Sequence, residues 1–195
     1  MNIPNILTSF RILMIPVFVV VFYLPVDWSY TGAAIIFAVA GWTDWFDGYI
    51  ARRFNMTSPL GAFLDPVADK LMVLISIVLI VELYETPWIA VPSLVIIGRE
   101  ITVTALREWM AEYGKSADVK VSFVGKVKTL WQLGSIFFLI LGGAQPSLVD
   151  VMGYPLFVIL GYFSLYVSVA LTLWSMVIYV KAAWPYLSAK NLGDN

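Results

Sequence analysis

Six apolar stretches fill almost the whole chain, at about residues 4–24, 30–53, 59–82, 87–112, 121–143 and 155–183. At about 1.5 Å rise per residue, each is long enough to cross a hydrocarbon layer of about 30 Å as a helix. Backbone amides in lipid must be satisfied inside the segment itself, which leaves only helices or closed barrels. Charged residues make up 13% of the chain and the mean hydropathy is +0.86, outside the range of a soluble domain. The expected fold class is therefore all-α: a single domain, residues 1–195, forming a polytopic bundle of six transmembrane helices. The start has neither a Lys/Arg-rich segment nor a small-residue cleavage site, so it reads as a first membrane helix rather than a removable signal. Low-complexity segments, linkers and internal repeats are not evident.

The connections carry the turn chemistry that six helices need. Pro4 suits a first helical turn and Pro16 predicts a kink in that helix. Ser58-Pro59 reads as an N-cap followed by proline at the first helical position. Gly114 and the polar run 115–120 mark a helix end and a loop, and Pro25, Pro87 and Pro155 punctuate the rest. Charge sorts these connections by side. Those near 25–29, 83–86 and 144–154 hold Asp27, Glu85 and Asp150 but no Lys or Arg. Arg11, Arg52, Arg53, Lys115, Lys120, Lys126, Lys128, Lys181 and Lys190 gather on the opposite side. The positive-inside rule then predicts both termini in the cytoplasm.

Asp44–Arg53, DWFDGYIARR, breaks the apolar pattern and needs a reason. On a helix, Asp44, Asp47, Gly48, Ala51 and Arg52 share one stripe, and Gly61, Asp65 and Asp69 repeat the pattern on the next helix. A short connection makes these helices antiparallel neighbours, so four carboxylates can face one another, with Asp44 roughly 13 Å from the cytoplasmic end of its helix. Unneutralised at mid-bilayer they cost about 2.5–3.5 kcal/mol each. Two divalent cations balance four carboxylates, and such two-metal sites stabilise attacking and leaving oxygens in phosphoryl chemistry. The chain contains no Cys and no His, so any metal must be held by oxygen, which suits Mg²⁺ or Mn²⁺. Gly48, Ala51 and Gly61 remove bulk where a nucleotide can approach, and Arg52 supplies a fork for phosphate. Arg53 and Lys70 read equally well as interhelical ion-pair partners. A cation-coupled transporter is the competing reading, but transporters bring broken helices and midplane sites, whereas these carboxylates lie toward one side.

Asp44–Asp69 matches all eight specified positions of D-x2-D-G-x2-A-R-x8-G-x3-D-x3-D, and so resembles the signature of the CDP-alcohol phosphotransferases. The resemblance implies a six-helix fold, usually a homodimer, and displacement of CMP from a CDP-linked lipid by an alcohol. Position by position, it implies that Asp44, Asp47 and Asp65 bind metal, and that Asp69 binds metal and takes the proton of the attacking hydroxyl. Gly48, Arg52 and Gly61 contact the CDP moiety. The segments NIPNILTSFRI, GAFLDPVADK, GREI, ALREWMAE and GKVKT are similar to bacterial members that transfer the phosphatidyl group of CDP-diacylglycerol to glycerol 3-phosphate. That resemblance implies a multi-pass protein of the bacterial cytoplasmic membrane with its site facing the cytoplasm, and nucleic acid is not an expected partner. Asn5 and Thr8, one turn apart, either bond the donor headgroup or serve helix entry.

The acceptor's phosphate needs cations of its own. Arg99 lies about a dozen residues into its apolar helix, too deep for an interface anchor, and Arg107 follows two turns later. Lys126 and Lys128 open the next helix, where positive-inside charge explains them about equally well. Arg99, Arg107, Lys126 and Lys128 are thus the expected acceptor-binding group, with Glu100 or Glu108 as structural partners for the arginines.

Overall fold

The computed structural model describes residues 3–54, 59–112, 114, 123–143, 150–151 and 154–188. Six helices make up nearly all of them: α1 (Ile3–Phe22), α2 (Ser29–Phe54), α3 (Pro59–Tyr84), α4 (Pro87–Glu112), α5 (Phe123–Gly142) and α6 (Leu156–Ser188). Prolines open α3 and α4 at the position where a missing N–H costs nothing. Past the end of α4, Gly114 takes φ +69°, the left-handed conformation that closes helices and that a side chain resists. Pro16 lies inside α1, as the sequence reading placed it. One feature departs from that reading: a two-residue antiparallel hairpin, β1 (Asp150–Val151) with β2 (Tyr154–Pro155), precedes α6. Pro155 therefore closes a strand rather than opening the last helix.

The helices pack so that α5 touches α2, α3 and α6, while α1 leans on α2 and α3, and α4 on α3 and α6. The α5–α6 contact is the most extensive and depends on small residues. A Cβ on Gly161 would sit 2.6 Å from the Leu139 side chain, so only glycine permits this approach. Along α6, Ser164, Ser168, Thr172 and Ser175 form a buried stripe of short side chains, the kind of surface on which membrane helices pack closely. The main core gathers Phe18, Ala33, Ala34, Ile89, Ile96, Ile136 and Ile140 from four helices. Leu13, Val20, Leu94, Leu130 and Trp174 point outward, as a lipid solvent favours. Among the described residues, Pro87–Glu112 and Leu156–Leu187 are long and apolar enough to cross a membrane, and Ser9–Phe22, Ser29–Thr43 and Val127–Gly142 are shorter apolar runs. Tyr23, just past α1, donates its hydroxyl to the Glu82 carboxylate.

Candidate active site

Helical backbone runs unbroken through Asp44–Arg52 in α2 and Gly61–Asp69 in α3. The one-turn spacings of Asp44 with Asp47 and of Asp65 with Asp69 are therefore spacings along one helix face. The side chains of these aspartates, and of Asn5, Thr8, Arg52, Arg53 and Lys126, lie outside the described residues, as do the surroundings of Gly48 and Gly61. What lies just inside them is described. Arg11 of α1 is 2% exposed, beside a small cavity lined by Phe37, Ala40 and Gly41 of α2, Met72 and Val73 of α3, and Leu133 of α5. Ala40 and Gly41 come one turn before Asp44, and Met72 and Val73 one turn after Asp69. The helices thus close on a buried guanidinium directly beneath the two aspartate turns. Charge sorting had counted Arg11 among the cytoplasmic-side basic residues; the fold makes it an interior group. An apolar groove of ≈ 540 Å³ opens next to this point between α2 and α5, lined by Gly41, Trp42, Leu130 and Gly134 among others.

A second polar region lies between α3, α4, α5 and α6. Arg99, at mid-length in α4, is 8% exposed. Its Nη2 donates to Ser175 Oγ of α6 at 2.7 Å, and its Nη1 to Glu100 Oε1 at 3.2 Å. The guanidinium carbon stands 5.6 Å from the Tyr179 ring centroid, within cation–π range. Lys128 of α5, 3% exposed, donates to the same oxygen, Glu100 Oε1. Two buried cations therefore share one carboxylate oxygen. Arg99 Nε has no hydrogen-bond partner among the described residues. A recess of two lobes opens here. The polar lobe, ≈ 440 Å³, is lined by Arg99, Glu100, Thr104, Arg107, Lys128 and Tyr179, with others. The apolar lobe, ≈ 370 Å³, adds Val73, Leu74, Ile101 and Gln132. The fold thus brings Arg99, Arg107 and Lys128 together, with Arg107 at the exposed rim and the other two inside. Periodicity did not single out Ser175, Tyr179, Thr104 or Gln132. Among six apolar helices, a serine or threonine signals close packing as readily as a site.

The oxygen-only donor set and the helical spacing suit a pair of hard divalent cations, with two carboxylates per turn offered from each of α2 and α3. The CDP-alcohol phosphatidyltransferase family model matches residues 1–180. The chain belongs to this family. As a CDP-alcohol phosphatidyltransferase it is 50% identical over 183 residues to the CDP-diacylglycerol–glycerol-3-phosphate 3-phosphatidyltransferase of Escherichia coli (strain K12), covering 93% of this chain and 94% of that one. It is equally similar, with the same coverage, to the protein of that name from Shigella flexneri serotype 5b (strain 8401). In this CDP-alcohol phosphatidyltransferase the aspartate turns of α2 and α3 and the basic recess beside α3 are distinct regions. One turn of α3 links them: Asp69 stands on it, and the next residue, Lys70, lines both lobes of the recess.

Proposed function

We infer that this chain transfers the phosphatidyl group of CDP-diacylglycerol to glycerol 3-phosphate, giving phosphatidylglycerol phosphate and CMP. The single observation carrying the acceptor is the charge balance of the recess. Arg99 and Lys128 are buried, share one oxygen of one carboxylate, and leave an arginine N–H unpartnered. Burying an unmatched cation is costly, and a phosphate entering the recess supplies the missing anion. Serine and free inositol bring no phosphate and give no reason for that excess.

The reaction follows from where each group stands. Asp44, Asp47, Asp65 and Asp69 would hold two divalent cations, Mg²⁺ or Mn²⁺, which when bound supply charge compensation for the donor diphosphate and the departing CMP. Gly48 and Gly61 keep the helix surfaces bare for the CDP moiety, Arg52 pairs with its phosphate, and Asn5 and Thr8 flank the headgroup. The α2–α5 groove offers an apolar surface for the donor's lipid part beside that headgroup. Arg99, Lys126 and Lys128, with Arg107 at the rim, hold the acceptor's phosphate. Asp69 takes the proton from the acceptor hydroxyl as its oxygen bonds the phosphatidyl phosphorus. The bond from that phosphorus to the CMP oxygen breaks, and CMP leaves. All six helices span the bacterial cytoplasmic membrane in this reading, with both termini and the site on the cytoplasmic side and a homodimer as working unit.

Parallel assays of purified protein with CDP-diacylglycerol, Mg²⁺ or Mn²⁺, and labelled glycerol 3-phosphate, serine or inositol phosphate test the reaction. Label is expected in lipid from glycerol 3-phosphate only, and a chelator is expected to stop CMP release. Lipid labelled from serine instead rules out the acceptor, and CMP release without divalent cation rules out the aspartate site. For topology, the cysteine-free chain allows single-cysteine labelling in intact cells. Ser147→Cys is expected to react with an impermeant thiol reagent from outside and Ser116→Cys to stay protected; the reverse pattern inverts the orientation.

A further inference from the structure

Lys70 is the one cation of the basic recess outside the expected acceptor-binding group, and its surroundings differ from those of buried Arg99 and Lys128. It stands half-buried on α3 and donates to Thr104 Oγ1 of α4 at 2.8 Å. Among the described residues it forms no ion pair: the Glu100 carboxylate pairs with Arg99 and Lys128. A lysine placed only to tie two helices has better partners in a recess that contains Glu100 and Glu108, both of which line the same two lobes as Lys70. Instead its ammonium is anchored by a neutral hydroxyl, which positions the charge without cancelling it. The inner recess thus holds Lys70, Arg99 and Lys128 around the carboxylate of Glu100, while Arg107 and Glu108 are exposed at the rim.

Position adds to charge. Lys70 directly follows Asp69 on α3, so their Cα atoms lie about 3.8 Å apart on one helical turn. One helical turn therefore serves both the aspartate cluster and the recess. We propose that Lys70 is a further acceptor-binding residue, whose ammonium, held by Thr104, donates to the acceptor's phosphate and sets its distance from the turn that carries Asp69. This rests on the assignment of the recess to the acceptor phosphate. Lys70 adds a third donor from a third helix, so the phosphate is gripped from α3, α4 and α5 at once. A shorter acceptor, or one lacking phosphate, loses this grip and with it the register of its hydroxyl toward Asp69.

The test is steady-state kinetics of the full chain in detergent micelles containing CDP-diacylglycerol, with glycerol 3-phosphate varied. Lys70→Met is expected to raise the KM for glycerol 3-phosphate about tenfold, the loss of one charge-assisted contact, with kcat and the Mg²⁺ dependence nearly unchanged. Lys70→Arg is expected to restore most of the affinity. Thr104→Val, which frees the ammonium but leaves its charge in the recess, is expected to raise KM only about two- to threefold, the loss of a neutral hydrogen bond. A purely structural tie predicts equal effects from Lys70→Met and Thr104→Val, and that result overturns the proposal. So does a fall in kcat with unchanged KM, which marks disturbance of the aspartate turn instead. Lys128→Met runs alongside: a raised KM there with none at Lys70 removes Lys70 alone. Unchanged KM in both removes the acceptor recess itself. If Lys70→Met does not survive purification, Lys70→Gln carries the same expectation.

Discussion

Asp69→Asn lowers turnover about 10³-fold, a loss typical of removing a positioned general base, while the chain still inserts and folds. Asparagine keeps the shape of the side chain but cannot accept the proton of the attacking hydroxyl, and it removes one of the negative charges that a pair of divalent cations needs. The substitution deletes charge from an apolar bundle, so insertion and helix packing gain rather than suffer. That separation makes the measurement clean: yield and monodispersity of the purified variant report folding, and CMP release reports chemistry. Asp44→Asn, Asp47→Asn and Asp65→Asn fall nearly as far, through the metals alone. Arg53→Gln stays mild, because residue 53 leaves the stripe that runs from Asp44 to Arg52. Near-normal CMP release from Asp69→Asn overturns its assignment as base.

Arg99→Ala raises the KM for glycerol 3-phosphate by about 10²-fold, as expected for loss of a bidentate charge-assisted contact in a mostly dry site. Its effect should exceed that of any other basic residue in the recess. Arg99 is held on three sides by Ser175, Glu100 and the Tyr179 ring, so the fork arrives oriented and little entropy is lost on binding. The KM for CDP-diacylglycerol changes little, since the contacts proposed for the donor belong to α1, α2 and α3. A change confined to KM marks a contact made equally in ground and transition states. Arg99→Lys recovers only part, because a single ammonium cannot serve both a phosphate and Ser175 as a planar fork does. If the donor's KM rises instead, Arg99 belongs to the other substrate.

The six helices were legible because apolar length and proline positions are local signals, and Pro59 and Pro87 open their helices where the sequence said they should. The aspartate motif was legible for a different reason: a carboxylate in an apolar segment is costly enough to need a function. Arg99 stood out by the same logic. Arg11 did not, because eight residues into a first helix it looks like an ordinary interface charge, and only the packing of α2, α3 and α5 around it makes it interior. Glu100 was visible as a possible partner for an arginine, yet its sharing between Arg99 and Lys128 depends on how α4 meets α5. Ser175 and Tyr179 stand 76 and 80 positions from Arg99 and carry no periodic signature. Lys70 was read as an ion-pair candidate, and it found a hydroxyl instead.

The bond between Arg99 and Ser175 also imposes an order of assembly. Ser175 lies on α6, made after the other five helices described, and the glycine-dependent fit of α6 against α5 can form only once both have been made. Until then Arg99 has no anchor on its inner side, and Lys128, on α5, has only just arrived to share Glu100. The aspartate helices α2 and α3 are complete much earlier. A chain caught partway through synthesis therefore owns both aspartate turns but lacks the finished recess proposed to seat the phosphate of the acceptor whose hydroxyl attacks the activated lipid. On that proposal, reactivity waits for α6 to join α5.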